Sequence, residues 1–265
     1  MKLYVMTNDE AMDIWTKEFP ILSKYNASTV FAKSDIMLIG LRFYWSRPSF
    51  YEVALEFVPL WTDWQGVDHR VLHLYLRPPR QYNVLVGYTE NNRALIQGLE
   101  LAHNQFGLFL KKEVSLKDLL QLNEEMKILG YKEHWSLKND PLIISSYLRL
   151  KMALASFSGN TILINRTIQQ ILDVTKKWYD ERLEFLYGIT LEEWKRKVFS
   201  MSEDRESFMQ QIEINKTRPS IAKLKSIQIT GLDILAEDIP ELNETIRMKL
   251  SNAMDRFYRR HILEH

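Results

Sequence analysis

The chain contains no cysteine among its 265 residues. That single absence excludes disulfides, thiol nucleophiles, iron–sulfur clusters and cysteine-ligated zinc together. Glycine is also scarce, with nine residues spread singly, so no glycine-rich loop is available to cradle a phosphate. Neither the Walker spacing nor G-x-G-x-x-G occurs, and G-x-S-x-G, H-E-x-x-H and the kinase signature set are missing as well. Charge of one sign is lacking: 35 Lys and Arg stand against 34 Asp and Glu, a formal net charge of +1. Dedicated nucleic-acid binders usually carry a marked basic excess, so nucleic acid is disfavoured as a partner. No apolar run approaches the ~18 residues that span a bilayer, which argues against a membrane partner. Met1–Glu10 holds one Lys and no long apolar stretch, unlike a signal peptide. A cytoplasmic location is the expectation.

What is present changes character along the chain. Residues 1–110 hold 10 basic and 11 acidic side chains and 18 of the 31 aromatics, whereas residues 111–265 hold 25 basic and 23 acidic ones. The division predicts a β-rich, aromatic-dense part over 1–110 and a helix-rich part over 111–262. The two are expected to pack as one continuous α+β unit, because no Pro/Gly/Ser linker separates them. Leu263-Glu264-His265 reads as a tag remnant.

Strands are expected at Met1–Met6, Asp35–Trp45, Tyr51–Leu60, Val71–Arg77 and Tyr82–Thr89, where β-branched and aromatic residues cluster between turn signals. In Tyr51–Leu60, Glu52 and Glu56 fall on one face and Tyr51, Val53, Leu55 and Phe57 on the other, the two-residue period of a strand. Short links favour antiparallel hairpins. Helices are expected at Asp9–Phe19, Asn92–Asn104, from a Ser115/Asp118 cap to Gly130, at Pro141–Phe157 and at Thr161–Tyr187. Asn160 caps the start of the last of these and Gly188 ends it. Thr190-x-x-Glu193 is a capping box for another helix, and Asp238-Ile239-Pro240-Glu241 opens a final one. Residues 212–235 permit a strand around Ile227-Gln228-Ile229 or an irregular connection.

Several groups of residues are candidates for chemistry. Residues 42–64 carry eight aromatics in 23 positions, with Arg42 and Arg47 among them. Such a segment lines a pocket that stacks on a base, sugar or peptide, or fills the core between sheet and helices. Arg42, Trp45, Arg47, Trp61 and Trp64 are the ligand-binding candidates. Trp61 and Trp64 stand out because Pro59, Asp63 and Gly66 suggest a loop, where large rings need a reason. His69 and His73 follow Asp68 at a spacing that brings two imidazoles together only on a helix; on a strand they lie roughly 13 Å apart. No metal site is therefore assigned, and no cofactor is implied. Asp68, His69, His73 and Glu52 are the acid–base candidates if a reaction is catalysed at all.

Lys216, Arg218, Lys223 and Lys225 form a basic stretch that reads as a phosphate contact or, more ordinarily, a solvated face. Glu125-x-Lys127 and Glu193-x-Lys195 lie in helical segments and read as solvated charges. The spacing Arg256-x-x-x-x-His261 is similar to that of HEPN-type ribonucleases, but those are helical and the β-rich first part departs from them, so no family is claimed. The expectation is a non-catalytic binding or interaction module with an aromatic-rich contact surface, its partner a protein or a small molecule. A hydrolase or nuclease with dispersed polar residues is the alternative. A homo-oligomer remains open.

Overall fold

A computed structural model of the chain describes residues 7–47, 50–62, 72–76, 86–87, 93–133 and 141–239. Helix α1 (Asn8–Glu18) opens on a capping box: the Thr7 hydroxyl accepts from the Glu10 backbone N–H, and the Glu10 carboxylate accepts from that of Thr7. Its buried stripe is Ala11, Met12 and Trp15. There follow β1 (Ser23–Asn26), β2 (Thr29–Lys33), β3 (Met37–Arg47), β4 (Phe50–Pro59), β5 (Leu72–Tyr75) and β6 (Val86–Gly87). They form an antiparallel sheet in the order β1-β2-β3-β4-β5, with β6 also pairing β4. The expected α+β architecture, sheet first and helices after, is the one observed.

The β3–β4 hairpin is the spine of this sheet. Its register sets Ile39 opposite Phe57, Leu41 opposite Leu55, Phe43 opposite Val53 and Trp45 opposite Tyr51 on one face. Gly40–Glu56, Arg42–Ala54 and Tyr44–Glu52 pair on the other. The first face is the core. Trp15 meets Phe43 edge-on with ring centroids 5.8 Å apart, and its Nε1–H donates to the Tyr51 hydroxyl at 2.7 Å. Phe57 meets Phe109 in the same geometry at 6.3 Å. Burying each such ring contributes on the order of 1.5–3 kcal/mol. Gly40 is required by close approach, because a Cβ there would lie 2.0 Å from the Val30 carbonyl oxygen.

The helical part comprises α2 (Arg93–Phe106), α3 (Leu116–Glu133), α4 (Pro141–Ser158), α5 (Thr161–Thr175), α6 (Asp180–Tyr187), α7 (Leu191–Glu203), α8 (Arg205–Lys216) and the single turn α9 (Pro219–Ala222). Strands β7 (Glu113–Ser115) and β8 (Gln228–Thr230) pair in parallel. Helix α4 is central: Met152, Ala153, Leu154 and Ala155 are all fully buried, and the helix touches α3, α5, α6, α7 and α8. The two parts meet through backbone as well. Lys33 exchanges hydrogen bonds with Lys225 and Ile227, at 2.9 and 2.8 Å, and Asn215 donates to the carbonyls of Leu60 and Thr62 at 2.6 and 2.9 Å.

Two expectations need correction, and one pair of strands was not foreseen. Gly130 does not end its helix, since α3 runs on to Glu133; a lone glycine weakens a helix by about 1 kcal/mol but terminates it only when the chain turns left-handed there. Thr161–Tyr187 is two helices: the first ends at Thr175, the chain is extended at Tyr179 before the second, and Trp178 between them packs against Trp194, centroids 5.1 Å apart. The β1–β2 hairpin, turned by the Asn26 side chain accepting from Ser28 N–H at 2.9 Å, escapes a search for alternation, since β2 buries both faces. Met1–Met6 and the expected final helix beyond residue 239 lie outside the described residues.

Candidate functional site

Strand alternation divides the aromatic segment between two surfaces. Trp45 stacks on Phe43 at 5.8 Å and tilts against Tyr51 at 5.0 Å, on the core side. Arg42 and Tyr44 rise from the opposite face. There Glu56, only 2% exposed, accepts on one carboxylate oxygen from Arg42 Nε at 2.7 Å and from the Tyr44 hydroxyl at 2.9 Å. Its other oxygen is buried without a partner. The Arg42 side chain stays 35% exposed. Tyr44 and Tyr75 lie with ring centroids 5.5 Å apart, both half-buried.

The electrostatics of this group follow from burial. Desolvation pushes the Tyr44 phenol far above its ordinary value, and the Glu56 charge beside it pushes the same way. For Arg42, desolvation works to lower the guanidinium's affinity for its proton, but the bond and charge of Glu56 outweigh it and leave the pKa raised. Tyr44 is thus a neutral donor and Arg42 a fixed cation at any ordinary pH.

Among the described residues Arg42 is bonded through Nε alone, which leaves the donors of its two terminal nitrogens. A half-buried ion pair of this kind contributes little to stability by itself, but it fixes a fork of donors in one orientation. The Tyr44 ring on the same strand, in contact with Tyr75, gives a flat group an aromatic neighbour.

The other candidates are placed as follows. Trp61 packs against the core with its ring 6.4 Å from Phe208, and its indole nitrogen is buried without a partner. Arg47 ends β3, paired with Phe50 after a register shift. Glu52 lies opposite Tyr44, and His73 is the register partner of Glu56. Trp64, Asp68, His69, Arg256 and His261 lie outside the described residues. In the basic stretch, Lys216 pairs with Glu213 at 2.8 Å, Lys225 donates to the Pro20 carbonyl at 2.7 Å and Arg218 is engaged as well, so most of its cations are tied into the fold. Among the described residues, no group of three or more His, Asp or Glu side chains could hold a metal ion, and no helix is long and apolar enough to cross a membrane.

Sequence reasoning missed Glu56, Tyr44 and Tyr75. The signal was available: a carboxylate flanked by Ala54, Leu55, Phe57 and Val58 is poorly placed for water and calls for a cation across the hairpin. The register that supplies Arg42 was not readable. Compared with known families, curated proteins and solved structures, the chain matches none.

Proposed function

We propose that this chain is a non-catalytic binding protein that takes a planar, anionic group on the outward face of β3–β5. The observation that carries this reading is the Arg42 guanidinium, 35% exposed and held through Nε by the buried Glu56, on the sheet face that also carries the Tyr44–Tyr75 ring pair. A carboxylate or phosphate accepts two parallel N–H bonds from such a fork, which lysine cannot reproduce. Tyr44 and Tyr75 supply the apolar walls. Trp61 and Trp45, packed on the core, serve the scaffold rather than this surface.

The rival reading, a hydrolase or nuclease, rests on Glu52 and His73 together with Asp68 and His69, which lie outside the described residues, and His73 is the register partner of Glu56. Glu56 is already engaged by Arg42 and Tyr44, which suits a positioning role better than acid–base exchange with a substrate.

The test is native mass spectrometry of the wild type and Arg42→Lys, each purified from the same cells. The expected result is an adduct on the wild type that is lost on denaturation and falls about tenfold in occupancy in Arg42→Lys, with both variants equally folded. Bare masses for both, or equal adducts on both, would sink the reading.

A further inference from the structure

The lysines of the described residues fall into two groups. Lys24, Lys117, Lys151, Lys176, Lys195 and Lys216 each meet a carboxylate within 3.3 Å. Lys33, Lys111, Lys112, Lys223 and Lys225 meet none among the described residues. These five come from three stretches far apart in the sequence, and the fold brings them to one place.

The meeting point is the segment that leads into β8. Ser226 bridges Lys33 in parallel; the Lys33 backbone N–H donates to the Lys225 carbonyl at 2.9 Å, and its carbonyl accepts from Ile227 at 2.8 Å. On the other side of the same segment, the Gln228 N–H donates to the Lys112 carbonyl at 2.8 Å, just before β7. The segment thus runs between the end of β2 and the start of β7. Adjacent strands lie about 4.8 Å apart, so the backbones of Lys33 and Lys112 stand roughly 10 Å from each other across it. Lys111 precedes Lys112, and Lys223 lies two residues before Lys225. Leu224, buried between Lys223 and Lys225, pins this stretch to the core.

Lys111, Lys112, Lys223 and Lys225 are exposed and Lys33 is half-buried. Lys33 and Lys225 each give one N–H to a carbonyl, that of Ala222 at 2.6 Å and that of Pro20 at 2.7 Å. A carbonyl cancels no charge and an ammonium has three donors, so both remain cations with N–H groups to spare. The carboxylates nearby are mostly occupied: Asp35 accepts from Ile229 N–H at 2.8 Å and Asp118 from the Ser115 hydroxyl at 2.6 Å. Among the described residues of these stretches, Glu113 alone is an exposed carboxylate. The place therefore carries a positive field that the whole-chain charge of +1 conceals.

We infer that this lysine cluster binds the phosphate backbone of a duplex nucleic acid, without reading its sequence. Lysines are point charges on flexible stems, which suits phosphates spaced along a strand; one small anion needs donors that converge. A duplex presents about six charges over 10 Å of its axis, enough to engage every lysine of the cluster. The exposed polar side chains between them, Ser226 and Gln228, donate to phosphate or sugar oxygens. In these stretches no exposed aromatic ring stands ready to stack an unpaired base, which favours a duplex over a single strand. No exposed large apolar side chain stands among them either, as insertion into a lipid surface needs. The cluster shares no residue with the Arg42 surface.

The experiment is fluorescence anisotropy of a labelled mixed-sequence DNA duplex with the full chain, over a series of sodium chloride concentrations. The logarithm of the association constant is expected to fall linearly with that of salt, at a slope of about −3 to −4.5, as about three to five phosphate contacts require. Replacing Lys111, Lys112 and Lys223 by Gln removes the three cluster lysines that hold nothing in the fold. That triple variant should lose about 3 from the slope and about tenfold or more in affinity at low salt. Lys223→Gln alone should take about 0.9 off the slope, and it supplies the test if the triple variant does not fold. Replacing Lys176, Lys177 and Lys197 by Gln changes the net charge equally at the ends of α5 and on α7, and should leave binding as it is. Absence of binding at low salt, or equal losses in the two triple variants, would overturn the inference. So would binding to phosphatidylserine vesicles through the same lysines with none to the duplex.

Discussion

Two ion pairs, one in each part of the molecule, use the same chemistry to different ends. In the helical part Lys151 of α4 donates to Glu124 of α3 and to Gln170 of α5, each at 2.7 Å, and the two charged side chains are 8% and 6% exposed. In the sheet Arg42 donates to Glu56 at the same distance, but the side chains are 35% and 2% exposed. The helical pair is closed on both ends, with a third helix supplying the amide that completes the lysine. The sheet pair is closed only at the carboxylate. A closed pair loses the hydration of both ions and can do no more than hold three helices in register. A half-open pair keeps one ion in contact with solvent, where it can meet a ligand. Burial of one partner, rather than the presence of an ion pair, separates a fastening from a presenting device.

The sharpest way to break this comparison is to remove one charge from the closed pair. Lys151→Met leaves the buried Glu124 carboxyl without its cation and is expected to lower stability by about 3–5 kcal/mol, read from urea denaturation. Adding Glu124→Leu should return most of that loss, because an apolar pair of similar volume needs no hydration. If the double variant is as unstable as the single one, the pair is doing more than filling space. Next in size is Glu56→Gln, which keeps the shape and one acceptor while removing the charge behind Arg42. A loss of about 1–3 kcal/mol is expected. Adduct binding to Arg42 should weaken as the guanidinium loses its anchor. A stability loss with fully retained binding would show that Glu56 does not orient the arginine.

The smallest effect concerns Glu125, next to the closed pair on α3. Burial raises its pKa above the ordinary 4.5, against the Gln121 amide that donates to it at 2.9 Å. Between the ordinary value and the raised one, the folded chain holds a proton that the unfolded chain has released. Stability therefore falls as pH rises through that interval and does not recover above it. Glu125→Gln removes that slope, so its urea midpoint should gain on the wild type between pH 4 and pH 7. A constant difference across the range would contradict the burial effect.

Local signals in the sequence were well matched by the fold where the cause is itself local. The Thr190–Glu193 capping box forms as expected, with the Glu193 backbone N–H donating to the Thr190 hydroxyl and the Glu193 carboxylate accepting in return. Asn160 accepts from Leu163 N–H at 3.0 Å, and Gly188 takes the left-handed conformation at φ 67°. The alternation in Tyr51–Leu60 puts Tyr51, Val53, Leu55 and Phe57 in the core. Expectations slipped where a distant partner decides. Trp178 continues a helical stripe by spacing, yet it lies past the end of α5 and packs against Trp194. Strand β7 has three residues, Glu113–Ser115, and exists only because Gln228–Thr230 lies beside it. Within the candidate site Arg42 was legible as a residue worth attention, but its partner was not. The choice of Glu56 over Glu52 depends on hairpin register and depth, which no spacing along one strand encodes.

The sequence by itself determined the class of the molecule: an α+β chain without thiol chemistry or a phosphate loop, its sheet early and its helices late. Composition, period and caps act over a few residues, so they can be read from a few residues. Tertiary structure alone decided which charges are buried, which ring faces the core, and which donors converge. The two-residue period assigns Arg42 and Trp45 to opposite faces, but only the packing of α1 makes one face the core and leaves the other to Glu56 and its arginine. Depth is a property of the assembled layers, and it is depth that divides the two ion pairs.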